Sequence, residues 1–242
     1  MRVSSLSRAL ALALVSLALA ACGAGIGGPT PTPTPTPAEI AAGVGRATAE
    51  AQSLRFSVTL AGRPVPIDSS GLFTLREMEG GLQRPAGVLA TLTVQSAAGL
   101  TEIRTVSLEG RQYITNPLTR AWQCLAPGMA FDPAVLFDPE RGIEALLQRG
   151  LQDVALVGEE EVGGRASYHL RGTLDGEQLA AISGGMIGAG PVAAEIWADK
   201  ETLRALRLTL VDSATDPAEP TTWTMSFSDY GQPVDVRDPV EC

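Results

Sequence analysis

Side chains that could perform acid–base or nucleophilic chemistry are scarce in this chain. Its 242 residues include a single histidine, His169, and three cysteines. His169 lies between Tyr168 and Leu170, so in an extended segment it faces the opposite way from both. Without a second histidine or a G-x-S-x-G nucleophile elbow, it is better explained as a solvent-side strand residue than as a general base. The sequence therefore predicts a protein that is not an enzyme.

Two other segments have compositions that could hold a metal ion or a phosphate group. Glu159–Glu161 places three carboxylates in a row, but neighbouring strand residues face opposite sides of a sheet, and Gly163-Gly164 follows at once. Gly184–Gly190 lacks the Lys-Ser/Thr pair of a phosphate-binding loop and comes after a helical pattern. We interpret the first as a solvated hairpin end and the second as a flexible loop. We predict no metal and no cofactor.

The charge balance excludes a further class of function. The chain has 18 Lys and Arg against 27 Asp and Glu, which gives a net charge of −9. Because a phosphate backbone is bound through a basic surface, nucleic acid is not a predicted partner.

The first cysteine completes a motif with its own chemistry. A positively charged start precedes the apolar run Ala9–Ala21. This run is shorter than the ~20 residues that span a bilayer but fits a secretory signal. Leu19-Ala20-Ala21-Cys22 resembles the bacterial lipobox, in which the signal is cut before the cysteine and the cysteine is acylated. We predict a lipoprotein signal peptide over residues 1–21 and lipidation of Cys22; the alternative is an ordinary signal peptide with an incidental cysteine.

The segment after this cysteine has the composition of a spacer. Within residues 22–37, small and glycine residues lead into four Pro-Thr pairs and a final proline. Alternating proline favours an extended polyproline II conformation of ~3.1 Å per residue. Gly23, Gly25 and Gly28 match G-x-G-x-x-G, but no strand precedes them and prolines follow, so we reject a dinucleotide site. We predict a stalk between the acylated cysteine and a domain; a ligand for an SH3-like module is a less favoured alternative.

The remainder, residues 38–242, has the pattern of one β-rich domain. Apolar and polar residues alternate in about ten runs, with short separators such as Gly80-Gly81. Short separators between consecutive strands predict antiparallel hairpins. The runs are 54–60, 71–79, 88–95, 101–108, 112–115, 154–161, 166–173, 192–198, 203–211 and 222–230.

Helical spacing interrupts this pattern in a few places. Residues 38–53 predict an amphipathic helix, and Asp138-Pro139 predicts a capped helix start before an apolar stripe. An antiparallel sheet of about ten strands must curl or close. The predicted fold class is α+β: a curved antiparallel β-sheet, or half-barrel, with helices across its concave face.

Several segments of this domain resemble one family of bacterial lipoproteins. They are the strand–turn–strand Glu195–Leu203 with Leu206–Leu210, the hairpin Val157–Tyr168, and Phe227–Val236 with its aromatic-Gly-x-Pro-Val pattern. Over roughly residues 38–240 the chain is similar to the LppX/LprA/LprF/LprG family, whose fold is similar to that of the LolA/LolB lipoprotein carriers. The long Pro-Thr stalk and the two cysteines of the domain depart from the family pattern.

The resemblance implies a half-barrel around an apolar cavity for an acylated lipid or glycolipid, without catalysis. The expected protein is anchored through its N-terminal acyl chains on the extracytoplasmic side of a membrane of the cell envelope, where it carries or presents lipid. An envelope lipoprotein with a filled core and a structural or interaction role is the alternative, and a transporter partner stays unidentified. The residues expected to contact lipid are Leu54, Phe56, Val58, Leu60, Phe73, Leu75, Val88, Ala90, Leu92, Met186, Ile187, Ile196, Leu206, Leu208, Trp223, Met225 and Phe227. Met186 and Ile187 would belong to a mobile entry loop.

The other two cysteines, Cys124 and Cys242, are expected to form a disulfide bond. Two cysteines left over in an exported protein usually pair. Closing a loop of this length stabilises the fold by up to ~4.7 kcal/mol in the chain-entropy model.

Overall fold

The alternating segments form one antiparallel sheet. In the computed structural model, which describes residues 34–242 except 69, 86 and 127, the residues from Pro35 to Cys242 make up one compact unit. The strands are β1 (Ser53–Ala61), β2 (Val65–Pro66), β3 (Thr74–Gln83), β4 (Gly87–Ser96), β5 (Gly99–Leu108), β6 (Arg111–Thr115), β7 (Trp122–Leu125), β8 (Gln152–Val162), β9 (Arg165–Leu174), β10 (Val192–Asp199), β11 (Ala205–Asp212) and β12 (Thr221–Ser228). About ten strands are predicted, and twelve are present among the described residues. The two that the pattern misses, β2 and β7, have two and four residues, too few for alternation to be recognised.

The strand order confirms the predicted open, curved sheet. It runs β7-β6-β5-β4-β3-β1-β12-β11-β10-β9-β8, with β2 paired to β3 beside this path. β1 and β12 lie at the centre, so the first and last strands of the domain join two meanders. We call the end of the sheet at which β1 finishes and β3 begins the upper end, and the opposite end the lower end. The result is a half-barrel with an apolar concave face.

Three helices and one 3₁₀ turn cover that concave face. They are α1 (Pro37–Ala49), the 3₁₀ turn Pro133–Phe137, α2 (Ile143–Arg149) and α3 (Gly176–Ser183). α1 begins with a capping box: the Thr36 hydroxyl accepts a hydrogen bond from the Glu39 amide at 3.3 Å, and the Glu39 carboxylate accepts one from the Thr36 amide at 2.7 Å. The compact unit therefore takes in the last prolines that we assigned to the stalk. Among the described residues, no helix combines the length and the apolarity needed to cross a bilayer.

The predicted helix start at Asp138-Pro139 is wrong, because α2 begins at Ile143. The Asp138 carboxylate accepts hydrogen bonds from the amides of Glu140 and Arg141 at 2.9 and 3.0 Å. These bonds close a turn in front of the helix, so the acidic residue and the proline belong to that turn.

The predicted turn at Gly80-Gly81 is also wrong, because both glycines lie inside β3. A Cβ atom on Gly80 would come 2.3 Å from the carbonyl oxygen of Leu89 and 2.7 Å from Cζ of Phe56, and one on Gly81 would come 2.7 Å from Cγ1 of Val234. The glycines are there because a ring on one face of the sheet and an isopropyl group on the other pack directly on the backbone.

The C-terminal segment after β12 covers the convex face. Val236 packs against a second, smaller apolar cluster of Val106, Leu108 and Tyr113. The Tyr113 hydroxyl donates a hydrogen bond to Asp238 at 2.5 Å. The predicted pairing of the cysteines is present: Cys124 of β7 and Cys242 form a disulfide bond with a Cα–Cα distance of 5.9 Å. This bond ties the end of the chain to an outer strand of the sheet.

Candidate functional site

The concave side of the half-barrel holds an apolar cavity of about 540 Å³. Strands form one wall, and α2, α3 and the 3₁₀ turn form the other. Its lining residues are Val58, Pro66, Ile67, Asp68, Leu75, Met78, Leu92, Ile103, Thr105, Ile114, Gly128, Ala130, Phe131, Leu136, Ile143, Leu179, Ile182, Ser183, Gly184, Gly185, Met186, Ile187, Leu208, Leu210, Trp223 and Met225. The volume lies in the range of ~300–1,000 Å³ that is usual for sites of small organic ligands.

Strand register explains where this cavity lies. Val58 is paired with Met225 on one side and with Met78 on the other, and Met78 is paired in turn with Leu92. Because side chains alternate between faces, this row of residues points together into the concave side. The row forms the middle of the cavity wall.

One row lower, the concave side is filled. Phe56 is paired with Phe227, and the Phe56 ring packs against Phe137 of the 3₁₀ turn with ring centroids 5.1 Å apart. The aromatic rings occupy the space between sheet and helices at this level. The cavity is therefore confined to the upper part of the half-barrel.

The residues that we expected to contact lipid fall into two groups, those that line the cavity and those that do not. Those that line the cavity are Val58, Leu75, Leu92, Met186, Ile187, Leu208, Trp223 and Met225. The remainder are not among its lining residues: Leu54, Phe56, Val88, Ala90, Ile196 and Phe227 are in the packed core, Leu60 and Phe73 pack partly buried against it, and Leu206 is buried elsewhere. Alternation predicts the inward face of a strand but not whether space remains in front of it.

Other lining residues are missing from our prediction. Met78, Ile103, Ile114 and Leu210 lie in strands. Ile103, Ile114 and Leu210 keep the phase of their strands, so the period-2 pattern was sufficient to find them. Met78 does not keep the phase of Leu75, because the register shifts at a β-bulge between Leu75 and Glu77. Leu136, Ile143, Leu179 and Ile182 come from the helical layer, and nothing in their local pattern shows that they face the sheet across a gap.

The cavity wall contains few polar groups. Asp68 is the one charged residue among its lining residues, and its carboxylate accepts hydrogen bonds from Ser70, from the Phe73 amide at 2.8 Å and from the Leu72 amide at 3.3 Å. The bond from the Ser70 side chain, followed by those from the backbone amides, lowers the pKa of Asp68 below its ordinary value. The carboxylate thus organises the loop between β2 and β3.

Two polar atoms of the wall are buried without a partner. Thr105 Oγ1 and Trp223 Nε1 have no hydrogen-bond partner among the described residues. No group of three or more His, Cys, Asp or Glu side chains in the described part of the chain is arranged to bind a metal ion. The arrangement is suited to holding an apolar molecule rather than to acid–base chemistry.

The glycine-rich segment after α3 contributes to the wall through its two large side chains. Gly184 ends α3 in the left-handed region with φ 64°, and Met186 and Ile187 then turn towards the cavity. The Ile187 amide donates to Ser183 Oγ at 3.1 Å, and the Gly188 amide donates to Asp212 at 2.8 Å. The segment is thus attached to the helix and to β11 while Gly184 and Gly185 stay exposed.

His169 lies outside this cavity, and our expectation that it faces solvent is wrong. It is on the opposite face of β9 from Leu170, but only 7% of it is exposed. Its ring stacks on Trp197 at a centroid distance of 4.3 Å, and Nδ1 is 2.7 Å from Glu160 Oε1. Trp197 Nε1 donates to the other oxygen of Glu160 at 2.9 Å, and this bond, with that of His169, lowers the pKa of Glu160. The cluster joins β8, β9 and β10 on the convex face.

The chain is similar in sequence to known lipoproteins. The family model described as LppX_LprAFG lipoprotein matches residues 36–236. A protein named lipoarabinomannan carrier protein LprG from Mycobacteroides abscessus is 27% identical over 168 residues, which cover 69% of this chain and 71% of that protein. The protein of the same name from Mycolicibacterium smegmatis is 22% identical over 199 residues, covering 79% and 78%.

Solved structures show the same fold. The crystal structure of LprF from Mycobacterium bovis superposes with a TM-score of 0.68 at 16% identity, covering 87% of this chain and all of that one. LppX from Mycobacterium tuberculosis gives a TM-score of 0.59 at 14% identity, covering 83% and 98%. With the family model matching nearly the whole of the described unit, the chain belongs to the LppX_LprAFG lipoprotein family.

Proposed function

We propose that this protein is a membrane-anchored lipoprotein that binds an acylated lipid in its cavity and carries or presents it within the cell envelope. The observation that carries the proposal is the cavity of about 540 Å³ with a mainly apolar wall. Removing acyl chains from water is favourable by ~25 cal/mol per Å² of apolar surface. The similarity to two proteins named lipoarabinomannan carrier protein LprG supports a lipid or glycolipid as the ligand class.

The proposal does not need catalysis. Binding and release of a lipid require an apolar space and an opening, and the wall supplies the first. We assign no acid, base or nucleophile to the site.

Co-purification tests the proposal directly. Native mass spectrometry of the protein should show an adduct whose mass falls to that of the bare chain after solvent extraction of lipid. Replacing Ile114, a lining residue, with tryptophan should reduce this adduct, because the larger side chain occupies part of the cavity. Leu156→Trp, at a position of β8 that is 44% exposed and does not line the cavity, is the matched control and should keep the adduct.

A protein with a structural or interaction role would behave differently. It would give a bare mass before extraction and would take up no fluorescent diacylglycerol. That pair of results would rule out the carrier and favour the alternative role.

The anchor is a separate part of the proposal. We propose that Cys22 is acylated and that residues 22–34 separate the acyl chains from the domain. Two or three acyl chains give stable membrane attachment. Cys22→Ala should release the protein from the membrane fraction on carbonate extraction; retention of the variant would contradict the anchor.

The glycine-rich segment is our candidate for the entry loop. Met186 and Ile187 are its apolar contributions to the wall, flanked by exposed glycines. Replacing both with serine should slow transfer of a fluorescent lipid between protein and vesicles. Unchanged transfer would remove the loop from the mechanism.

A further inference from the structure

Three exposed leucines lie at the upper end of the sheet. Leu72 is in the loop between β2 and β3, Leu100 is next to the β4–β5 turn, and Leu118 is in the β6–β7 turn. Their exposed fractions are 66%, 66% and 88%. We call these three residues the leucine rim.

The register places the members of the leucine rim side by side. Thr74, two residues after Leu72, is paired with Gln95, which is paired in turn with Leu100. The β6–β7 turn lies along the start of β5, where Arg104 donates its amide hydrogen to Thr115 Oγ1 at 2.8 Å. Since β3 to β7 are neighbours in the sheet and adjacent strands are ~4.8 Å apart, the three turns form one continuous border.

This border belongs to the upper boundary of the cavity. The loop that carries Leu72 also provides Ile67 and Asp68 to the cavity wall. The Ile67 amide donates to the Phe73 carbonyl at 3.0 Å, so the loop is short and closed on itself. A surface bound by the leucine rim would therefore lie next to the cavity.

The tips of the three turns carry no charge. They read Ser70-Gly71-Leu72, Ala97-Ala98-Gly99-Leu100 and Pro117-Leu118-Thr119 in a chain of net charge −9. The nearest charges along the chain are Asp68, whose carboxylate accepts hydrogen bonds within its own loop, and Arg120 and Glu102, which lie 3.9 Å apart. An acidic body is repelled by anionic headgroups, so these uncharged apolar tips are the part of it that approaches a bilayer at the lowest electrostatic cost.

We propose that the leucine rim docks on the surface of a lipid bilayer and brings the cavity next to the lipids. The inference rests on the proposed function for its purpose, but it concerns a separate surface. Single leucines on three turns insert between lipid molecules, as the apolar side chains of interfacial proteins do. A stable protein interface needs ~800 Å² on each partner, more than three separate side chains provide.

Quenching by brominated lipid tests the contact. The acylated full-length protein is reconstituted in vesicles of phosphatidylcholine with brominated acyl chains, in three forms: unsubstituted, Leu118→Trp and Leu156→Trp. After subtraction of the unsubstituted protein, the tryptophan at 118 should lose about half its emission, because side chains at the interface reach the acyl boundary. The tryptophan at 156, on β8, should not be quenched. Equal quenching of the two, or none, would overturn the proposal.

A second variant tests whether the contact contributes to lipid uptake and whether the leucine rim binds a bilayer or a second copy of the chain. Replacing all three rim leucines with serine should slow uptake of a fluorescent diacylglycerol from the same vesicles by about tenfold, whereas Leu156→Ser with Val157→Ser should leave it unchanged. All five side chains are exposed, so both variants should fold. A dimer in detergent that the triple variant dissociates would assign the rim to self-association instead and overturn the proposal. Quenching without any lipid uptake would rule out the carrier function but would still support docking on the bilayer.

Discussion

Replacing Glu144 with glutamine should flatten the dependence of folding stability on pH. Glu144 lies in α2 with 2% of its side chain exposed. Its Oε1 accepts a hydrogen bond from Arg84 Nη2 at 2.6 Å, while Oε2 is buried with no hydrogen-bond partner among the described residues. Arg84 also donates to the carbonyls of Ala51 at 3.1 Å and Phe137 at 3.2 Å. One guanidinium thus joins α2, the 3₁₀ turn and the segment that leads into β1.

Burial decides the direction of the effect. Loss of solvation outweighs the attraction of Arg84 and raises the pKa of Glu144 from 4.5 to about 7. Between these two values the folded protein binds more protons than the unfolded chain, so stability falls as pH rises through this window. At 1.36 kcal/mol per pKa unit the full effect is ~3 kcal/mol, of which ~2.5 kcal/mol falls between pH 5 and pH 8.

Urea unfolding followed by tryptophan fluorescence at pH 5, 6, 7 and 8 measures this effect. The unsubstituted protein should lose ~2.5 kcal/mol more stability between pH 5 and pH 8 than Glu144→Gln does, with equal m-values. Glu50→Gln, at the exposed end of α1, is the control and should follow the unsubstituted protein. Parallel pH curves for the Glu144 variant and the unsubstituted protein would refute the reasoning, since Arg84 would then fully compensate the burial of the carboxylate.

Three further substitutions test the packing. Cys242→Ser should lower the free energy of unfolding by ~2–5 kcal/mol in non-reducing urea titrations, because the C-terminal segment loses its disulfide bond to β7. An unchanged unfolding midpoint would show that non-covalent contacts are sufficient to hold the segment in place. Thr105→Val should leave stability unchanged or raise it by ~1 kcal/mol, because it removes a buried hydroxyl without a partner among the described residues. A clear loss of stability would mean that this hydroxyl is hydrogen-bonded. Gly80→Ala should cost ~1–3 kcal/mol, since its Cβ would come 2.3 Å from the carbonyl oxygen of Leu89 and 2.7 Å from Cζ of Phe56. A neutral result would show that β3, β4 and the Phe56 ring adjust here without cost.

Local sequence was sufficient for most of the sheet. Ten strands follow from alternation, which depends only on neighbouring residues. In two of the places where the prediction is wrong, a distant contact outweighs the local signal. Gly80 and Gly81 have the composition of a turn, yet they lie inside a strand because Phe56 and Val234 pack on them. His169 has the phase of a solvent-side residue, but Trp197 on the neighbouring strand covers it.

The cavity shows the same division between local and long-range information. The sequence determined which side chains of a strand face inward, the choice of cysteines that pair, and a family resemblance that the comparisons confirm. Only the tertiary structure decided which inward side chains line a cavity and which are packed. Val58 and Phe56 are two residues apart on the same face of β1, but Phe137, some eighty positions later in the chain, fills the space before Phe56 and leaves the space before Val58 open. Periodicity is a property of a segment, whereas free volume depends on every element that surrounds it.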